Sequence, residues 1–320
     1  MPDLLLDVQD LSVRFETDDG TSQAVDRFSF ALGEREVLGI VGESGCGKSV
    51  TMMSLLRLLP QTAVVTGSAL FGGIDLLAAS SSQLGRIRGR EISFVFQEPM
   101  TSLNPAFTVG KQIGEVLRHH LGASRAEARV RAIELLDLVR IPAPARRVDE
   151  YPHQLSGGMR QRVMIATALA CDPKILIADE PTTALDVTIQ AGILDLMRDI
   201  RDRLGTAIVL ITHNLGVVAD IADRVVVMYA GRKAEEAPVH ELYAHPQHPY
   251  TIGLLGAIPR RGVERLQEIP GLVPRLSEPL TYCAFAERCP RADEQSRSSV
   301  PELREVRPEH LVACFHPGSG

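Results

Sequence analysis

The sequence predicts an α/β protein: a parallel, doubly wound core with antiparallel β strands before it, a helical subdomain inserted within it and a small irregular extension after it. Three observations predict this. Short apolar runs at residues 37–41, 175–178, 207–212 and 225–229 read as strands, and the lack of alternation at 175–178 places that one buried on both faces. Stretches with helical periodicity stand between them, and strand–helix alternation builds parallel sheets. A glycine-rich stretch, Gly42-Glu43-Ser44-Gly45-Cys46-Gly47-Lys48-Ser49, joins the first of these strands to a helical pattern at Met52-Met53-Ser54-Leu55-Leu56.

In chain order, residues 4–16 read as strand: Leu4-Leu5-Leu6-Asp7-Val8, then Leu11-Ser12-Val13-Arg14-Phe15 with period-two alternation. A turn at Asp18-Asp19-Gly20 leads to a second strand near Phe28-Ser29-Phe30. The glycine-rich stretch and its helix follow, then a strand at residues 92–96. From Pro99 the texture changes. Residues 110–139 look mostly helical, with Ile113, Val116, Leu117, Ile133, Leu135, Leu136 and Leu138 on apolar faces, until Ile141-Pro142-Ala143-Pro144 ends the segment. A helix starts after Leu155-Ser156-Gly157-Gly158 and runs to Ala170; a strand (175–178), a helix (187–204) and two strands (207–212, 224–229) complete the alternation. Beyond about residue 232 the chain holds Pro238, Pro246, Pro249, Pro259, Pro270, Pro274 and Pro279, and reads as a small irregular module or a wrap-around tail. The expected division is 1–97 with 166–235 as core and N-terminal β subdomain, 98–165 as helical subdomain, and 236–320 as extension.

A chain of 320 residues can bury a proper core, and its formal net charge of −6 gives no sign of a general affinity for nucleic acid or anionic lipid. The longest apolar runs fall far short of the roughly 20 residues that span a bilayer. Met1-Pro2-Asp3-Leu4 has no basic region and no small-residue cleavage site, so no signal peptide is expected, and the chain is expected in the cytoplasm unless a partner holds it at a membrane. Five cysteines, Cys46, Cys171, Cys283, Cys289 and Cys314, are odd in number and unevenly placed, which argues against a disulfide framework.

The chemistry lies in six elements. The loop from Gly42 through Gly45 and Gly47 to Ser49 and Val50 is a P-loop (Walker A): glycines let backbone N–H groups converge on phosphate oxygens, and the following helix adds its positive dipole end. Lys48 would reach the β- and γ-phosphates and Ser49 would ligate Mg²⁺. Cys46 reads as a small loop residue prone to alkylation. Asp179-Glu180 ends a buried strand in two carboxylates, the Walker B pattern, with Asp179 suited to Mg²⁺ through water and Glu180 to polarising the attacking water. Adjacent buried acids are costly without a cation, so a purely structural role for them is weak. Gln97 closes the strand before the helical insertion. Ser156-Gly157-Gly158 precedes a helix and offers a second anion-binding N-terminus. Asp186 follows in Ala184-Leu185-Asp186, and His213 ends the strand at 207–212.

In this order and at these spacings, the six elements resemble the nucleotide-binding domain of ABC transporters, over roughly residues 4–235. The resemblance implies an ATPase that forms a head-to-tail sandwich of two such domains around ATP and Mg²⁺. Residues 42–50 would cradle the phosphates, and Phe15 would stack on adenine. Gln97 would contact Mg²⁺ and the attacking water, with Asp179 and Ser49 also on the metal. Glu180 and His213 would act at the γ-phosphate. Ser156, Gly157 and Gly158 of the opposite subunit would close over it, and Asp186 would touch that subunit. Met159 stands where glutamine is more usual, past the phosphate-contacting atoms.

Three further stretches are similar to the ATPase subunits of dipeptide and oligopeptide importers: residues 96–105 (Phe96-Gln97-Glu98-Pro99-Met100-Thr101-Ser102-Leu103-Asn104-Pro105), residues 151–162 around Leu155-Ser156-Gly157-Gly158, and His248-Pro249-Tyr250-Thr251. That resemblance implies two transmembrane permease subunits, a second and different ATPase chain, and a substrate-binding protein outside the membrane. It also implies a peripheral place on the cytoplasmic face of the inner membrane, and no nucleic acid. Nickel and glutathione importers use related subunits, so the cargo stays open. The extension of this family often carries four cysteines taken to hold a 4Fe–4S cluster; here Cys283, Cys289 and Cys314 are present and Ser296 replaces the third. Three readings stand: three plain thiols, a cluster completed by Ser296 or His316, or a zinc on three cysteines and a histidine. An ABC ATPase acting on DNA or ribosomes is the competing class; the chain lacks its long coiled-coil heptads and has one ATPase domain where translation factors have two. An exporter or regulatory ATPase is the third, against which the importer-like motifs stand.

Overall fold

The computed structural model describes residues 4–17, 20–98, 102–183, 186–258, 269–274 and 276–318. Met1, Pro2, Asp3, the turn residues Asp18 and Asp19, Pro99, Met100 and Thr101, Ala184 and Leu185, and Pro259 lie outside the described residues. The chain opens with β1 (Leu4–Thr17), β2 (Gly20–Gly33), β3 (Val37–Val41), α1 (Lys48–Leu55), β4 (Ala63–Phe71), β5 (Ile74–Asp75), α2 (Ser81–Ile87) and β6 (Ile92–Val95). There follow α3 (Val109–Leu121), α4 (Arg125–Leu138), α5 (Pro144–Arg147), α6 (Gly157–Ala168), β7 (Ile175–Asp179), α7 (Val187–Leu204) and β8 (Ala207–Thr212). Last come α8 (Leu215–Ile221), β9 (Arg224–Tyr229), β10 (Arg232–Pro238), α9 (Val239–Ala244), α10 (Pro249–Gly256), α11 (Glu294–Ser298), β11 (Arg304–Arg307) and β12 (His310–Val312). Among the described residues no helix is long and apolar enough to cross a membrane.

The chain divides into two compact units. The first holds residues 1–33, 37–79 and 211–320. Its smaller sheet is antiparallel, in the order β2-β1-β4-β5. Leu6 and Val8, then Leu11 and Val13, are all buried, although a strict two-residue period would put the second pair on the opposite face. A bulge resolves this: the register slips between Val8 and Leu11, Asp10 takes φ +49°, and its N–H donates to Ser29 Oγ at 2.8 Å. The larger sheet of this unit runs β11-β12-β10-β9-β3, with β3 parallel to β9 and antiparallel pairs beyond. Every residue of β3 is buried. The C-terminal residues thus continue the sheet that carries the P-loop strand.

β10 lies where the sequence reads as irregular, beyond about residue 232. Its acids are buried because each is matched. Glu236 pairs with Arg224 and Lys233. Glu235 accepts from Gln247 N (2.7 Å) and His248 N (2.9 Å) and meets His310 Nε2 at 2.6 Å.

His248 caps α10, its Nδ1 accepting the Tyr250 N–H at 3.0 Å, which requires a neutral ring. Burial pushes its pKa down from 6.5 to about 4. The unfolded ring gains a proton below about pH 6.5 while the folded one does not, so this contribution to stability is complete above that pH. It is lost as pH falls toward about 4, by up to roughly 3 kcal/mol. His248→Asn, whose Oδ1 can replace the acceptor, should flatten the fall of the unfolding midpoint between those pH values; a variant as acid-sensitive as wild type would reject this cause.

The second unit holds residues 34–36 and 80–210. Its strands run β8-β7-β6, and β6 pairs parallel with β7 from Ile92↔Ile175 to Val95↔Ala178. The helical stretch expected at 110–139 is two helices. Gly122, in the left-handed region at φ +68°, ends α3, and a capping box between Ser124 and Glu127 starts α4. The C-terminal end of α4 is tied to α6 by Arg162 Nη1, which donates to Val139 O at 2.7 Å. The short α2 and strands β4 and β5 escaped the sequence reading. The Ser80–Gln83 capping box was a legible signal for α2, whereas β4 is mostly half-exposed and interrupted by Gly67.

Candidate nucleotide site

In the first unit, β3 delivers the chain into the glycine-rich loop and α1 receives it. Gly42 sits at φ +156°, and a Cβ there would come within 2.2 Å of Met228 O, so only glycine fits. Lys48 opens α1 and is buried; its Nζ donates to Gly42 O at 2.7 Å and Glu43 O at 2.9 Å. Thr51 Oγ1 donates back to Gly47 O at 2.9 Å, closing the loop onto the helix. Ser44 and Gly45 are exposed at the loop's outer edge, and Ser49 and Val50 are half-buried. A cradle with an ammonium at its centre and a helix N-terminus beneath it fits a polyphosphate.

Cys46 departs from expectation. It is buried, and burial pushes its thiol up. A protonated, inaccessible thiol is a poor target for alkylation, so the prone reading of Cys46 is corrected. Phe15 is half-buried on β1, and His213 is exposed directly after β8.

In the second unit, Asp179 ends β7 and is 5% exposed. Extending the β6–β7 register by two residues from Val95↔Ala178 sets Gln97 opposite Glu180, and the side chains do meet: Gln97 Nε2 donates to Glu180 Oε2 at 3.0 Å. Thr183 Oγ1 donates to the same oxygen at 2.8 Å. Glu180 itself sits at φ +46°, a left-handed conformation that a glutamate adopts only under constraint. Thr183 has no signal in the sequence: nothing marks the second threonine of Thr182-Thr183 as the one that meets Glu180.

Ser156 is the N-cap of α6, accepting from Met159 N, and Asp186 is the N-cap of α7, accepting from Ile189 N at 2.9 Å. The first turns of α6 and α7 lie against each other, since a Cβ on Gly158 would meet Ile189 Cγ2 at 2.9 Å. Gly157 is exposed beside Ser156.

The extension, in the first unit, holds two residues that sequence reasoning gave no role at the site. Arg288 makes a two-pronged ion pair with Glu43, and Tyr250 Oη accepts the Glu43 N–H at 2.8 Å. His248-Pro249-Tyr250-Thr251 is a motif of the sequence, but nothing in the sequence ties it to the loop.

The cluster and zinc readings of Cys283, Cys289 and Cys314 do not fit this donor set. Among the described residues no three His, Cys, Asp or Glu side chains are grouped to hold a metal. Ser296, in the place of the missing cysteine, gives its hydroxyl to Asp293 Oδ1 at 2.7 Å, and His316 Nε2 meets Asp293 Oδ2 at 2.8 Å. Both candidate fourth ligands are thus committed to one carboxylate, whose pKa is held at about 2, first by the Ser296 backbone N–H. Burial pushes the Cys283 thiol up and the Cys314 thiol up to about 11.

Comparison with known proteins places the chain among relatives. A family model described as ABC transporter matches residues 25–183, and one described as oligopeptide/dipeptide transporter, C-terminal region, matches residues 234–295. A protein of Sinorhizobium fredii, provisionally named a peptide ABC transporter ATP-binding protein, is 56% identical over 318 residues, covering 98% of this chain and 95% of its own. A Brucella melitensis protein, provisionally named a peptide import ATP-binding protein, is 56% identical over 288 residues, covering 89% and 87%. Among solved structures, a dimeric post-hydrolysis ATP-binding cassette bound to ADP and Pi matches with a TM-score of 0.66 at 28% identity, covering 73% of this chain and 98% of that one.

Proposed function

Since the chain belongs to the ABC transporter family of ATP-binding proteins, with the C-terminal region of the oligopeptide/dipeptide transporters, we propose that it binds and hydrolyses Mg-ATP to power uptake of peptides through a membrane ABC importer. The observation that carries this is the conjunction of a buried P-loop lysine, Lys48, with a constrained Glu180 held by Gln97, in a chain whose extension matches the peptide-transporter region.

The roles follow from the chemistry of each group. Lys48 and the N–H groups of residues 42–50 hold the triphosphate, and Phe15 supports the base. Ser49, Gln97 and Asp179 would hold Mg²⁺, which when bound neutralises phosphate charge. Glu180 takes the proton of the attacking water, with Gln97 and Thr183 fixing the carboxylate that does so. His213 donates to the γ-phosphate. Ser156, Gly157 and Gly158 of a second ATPase subunit cover that phosphate, and Asp186 reaches the same subunit. ATP then binds the closed pair better than the open one, and hydrolysis removes the difference.

In this reading residues 1–97 and 166–235 form the core, 98–165 the signature-bearing helical subdomain and 236–320 the extension. The partners are two transmembrane permease subunits, a second ATPase chain and a substrate-binding protein, and the chain works on the cytoplasmic face of the inner membrane. The test is nutritional. A strain lacking this chain should fail to grow when a required amino acid is supplied only in short peptides, and wild type but not Glu180→Gln should restore growth. Unimpaired growth of the deletion strain on every peptide length would reject the peptide cargo.

A further inference from the structure

Glu43 is an awkward residue for a phosphate cradle. It places a carboxylate, with 30% of its side chain exposed, inside the loop that must receive a polyanion. Arg288 answers it from the other end of the chain, 245 residues away. The Arg288 side chain is 5% exposed; Nη1 donates to Glu43 Oε2 at 2.7 Å and Nη2 to Oε1 at 3.0 Å, the planar two-pronged geometry that lysine cannot reproduce. Its remaining donors are also placed: Nε to Pro270 O at 2.7 Å, and Nη2 to Ile269 O at 3.3 Å. The rings of Tyr229 and Phe285 lie 5.7 and 6.0 Å from the guanidinium carbon. Tyr250, packed on both rings, takes the Glu43 backbone N–H. The extension therefore grips both the charge and the backbone of the second loop residue.

We propose that Arg288 is a positioning residue of the nucleotide site: by neutralising Glu43 and pinning it, the C-terminal extension holds the phosphate loop ready for ATP and makes ATP affinity depend on the extension. This rests on the reading of residues 42–50 as the ATP cradle. Without Arg288 the Glu43 carboxylate is left unpaired beside the phosphates. It then repels ATP more than ADP, because the triphosphate carries more charge. A residue that only stabilised the fold would not discriminate between the two nucleotides.

The experiment measures Kd for Mg-ATP and Mg-ADP on the full-length protein by calorimetry, with melting temperatures taken without nucleotide. Arg288→Ala should weaken ATP binding by roughly tenfold and ADP binding by less. Glu43→Gln combined with Arg288→Ala should recover most of the loss, since the stranded charge is gone, and Arg288→Lys should fall between wild type and Arg288→Ala. ATP affinity unchanged in Arg288→Ala, or the same loss with and without Glu43→Gln, would overturn the proposal. If Arg288→Ala does not fold, the Arg288→Lys and double variants carry the same comparison. Wild-type protein that binds no ATP would instead overturn the reading of the loop itself.

Discussion

Glu180→Gln is expected to bind Mg-ATP about as well as wild type and to hydrolyse it roughly 100-fold or more slowly, the usual range for loss of a positioned general base. The substitution is nearly isosteric, and the amide oxygen can still accept from Gln97 Nε2 and Thr183 Oγ1, so the left-handed backbone at residue 180 and its surroundings should persist. What is lost is the basic oxygen. ATP should therefore accumulate unhydrolysed, and the dimer it holds closed should become the dominant species by size-exclusion chromatography. Steady-state turnover at the wild-type rate would remove Glu180 from its assigned role.

Lys48→Ala should act one step earlier, on binding. The ammonium is held inside the loop by two backbone carbonyls, Gly42 O and Glu43 O, at the position from which it would meet the β- and γ-phosphates. A charge-assisted contact to phosphate contributes about 1.5–3 kcal/mol, so ATP affinity should fall by roughly 10- to 100-fold. Calorimetric titration with Mg-ATP reads this directly, and unchanged affinity would refute the P-loop assignment. Together the two variants separate holding ATP from cleaving it.

Much of this site was legible because its chemistry depends on short, contiguous motifs. Gly42 to Ser49, Asp179-Glu180 and Ser156-Gly157-Gly158 each announce a local backbone shape, a strand end or a helix start, that physics ties to the residues themselves. The Gln97–Glu180 contact was legible only in part: both residues were named, but their meeting depends on the parallel register of β6 on β7, which no local pattern encodes. Arg288 and Tyr250 were illegible as site residues, because a contact across 245 positions leaves no periodicity to read. The bulge at Asp10 and the buried acids of β10 were hidden for a related reason. Both are made tolerable by partners distant in sequence, Ser29 for one and Arg224 and His310 for the other. The cysteines mislead in the opposite direction. Cys283, Cys289 and Cys314 suggest ligands through the family resemblance, while Asp293 holds the two groups that would complete the set.

The most direct test of the importer reading is to trap Glu180→Gln with ATP in its native membranes, extract it in mild detergent and identify the chains that come with it. Two transmembrane permease subunits and a second ATPase chain are the predicted companions, with release of the complex when ATP is omitted. Recovery of the chain alone, or with ribosomes or DNA, would contradict the account and place the protein among ABC ATPases that work away from a membrane.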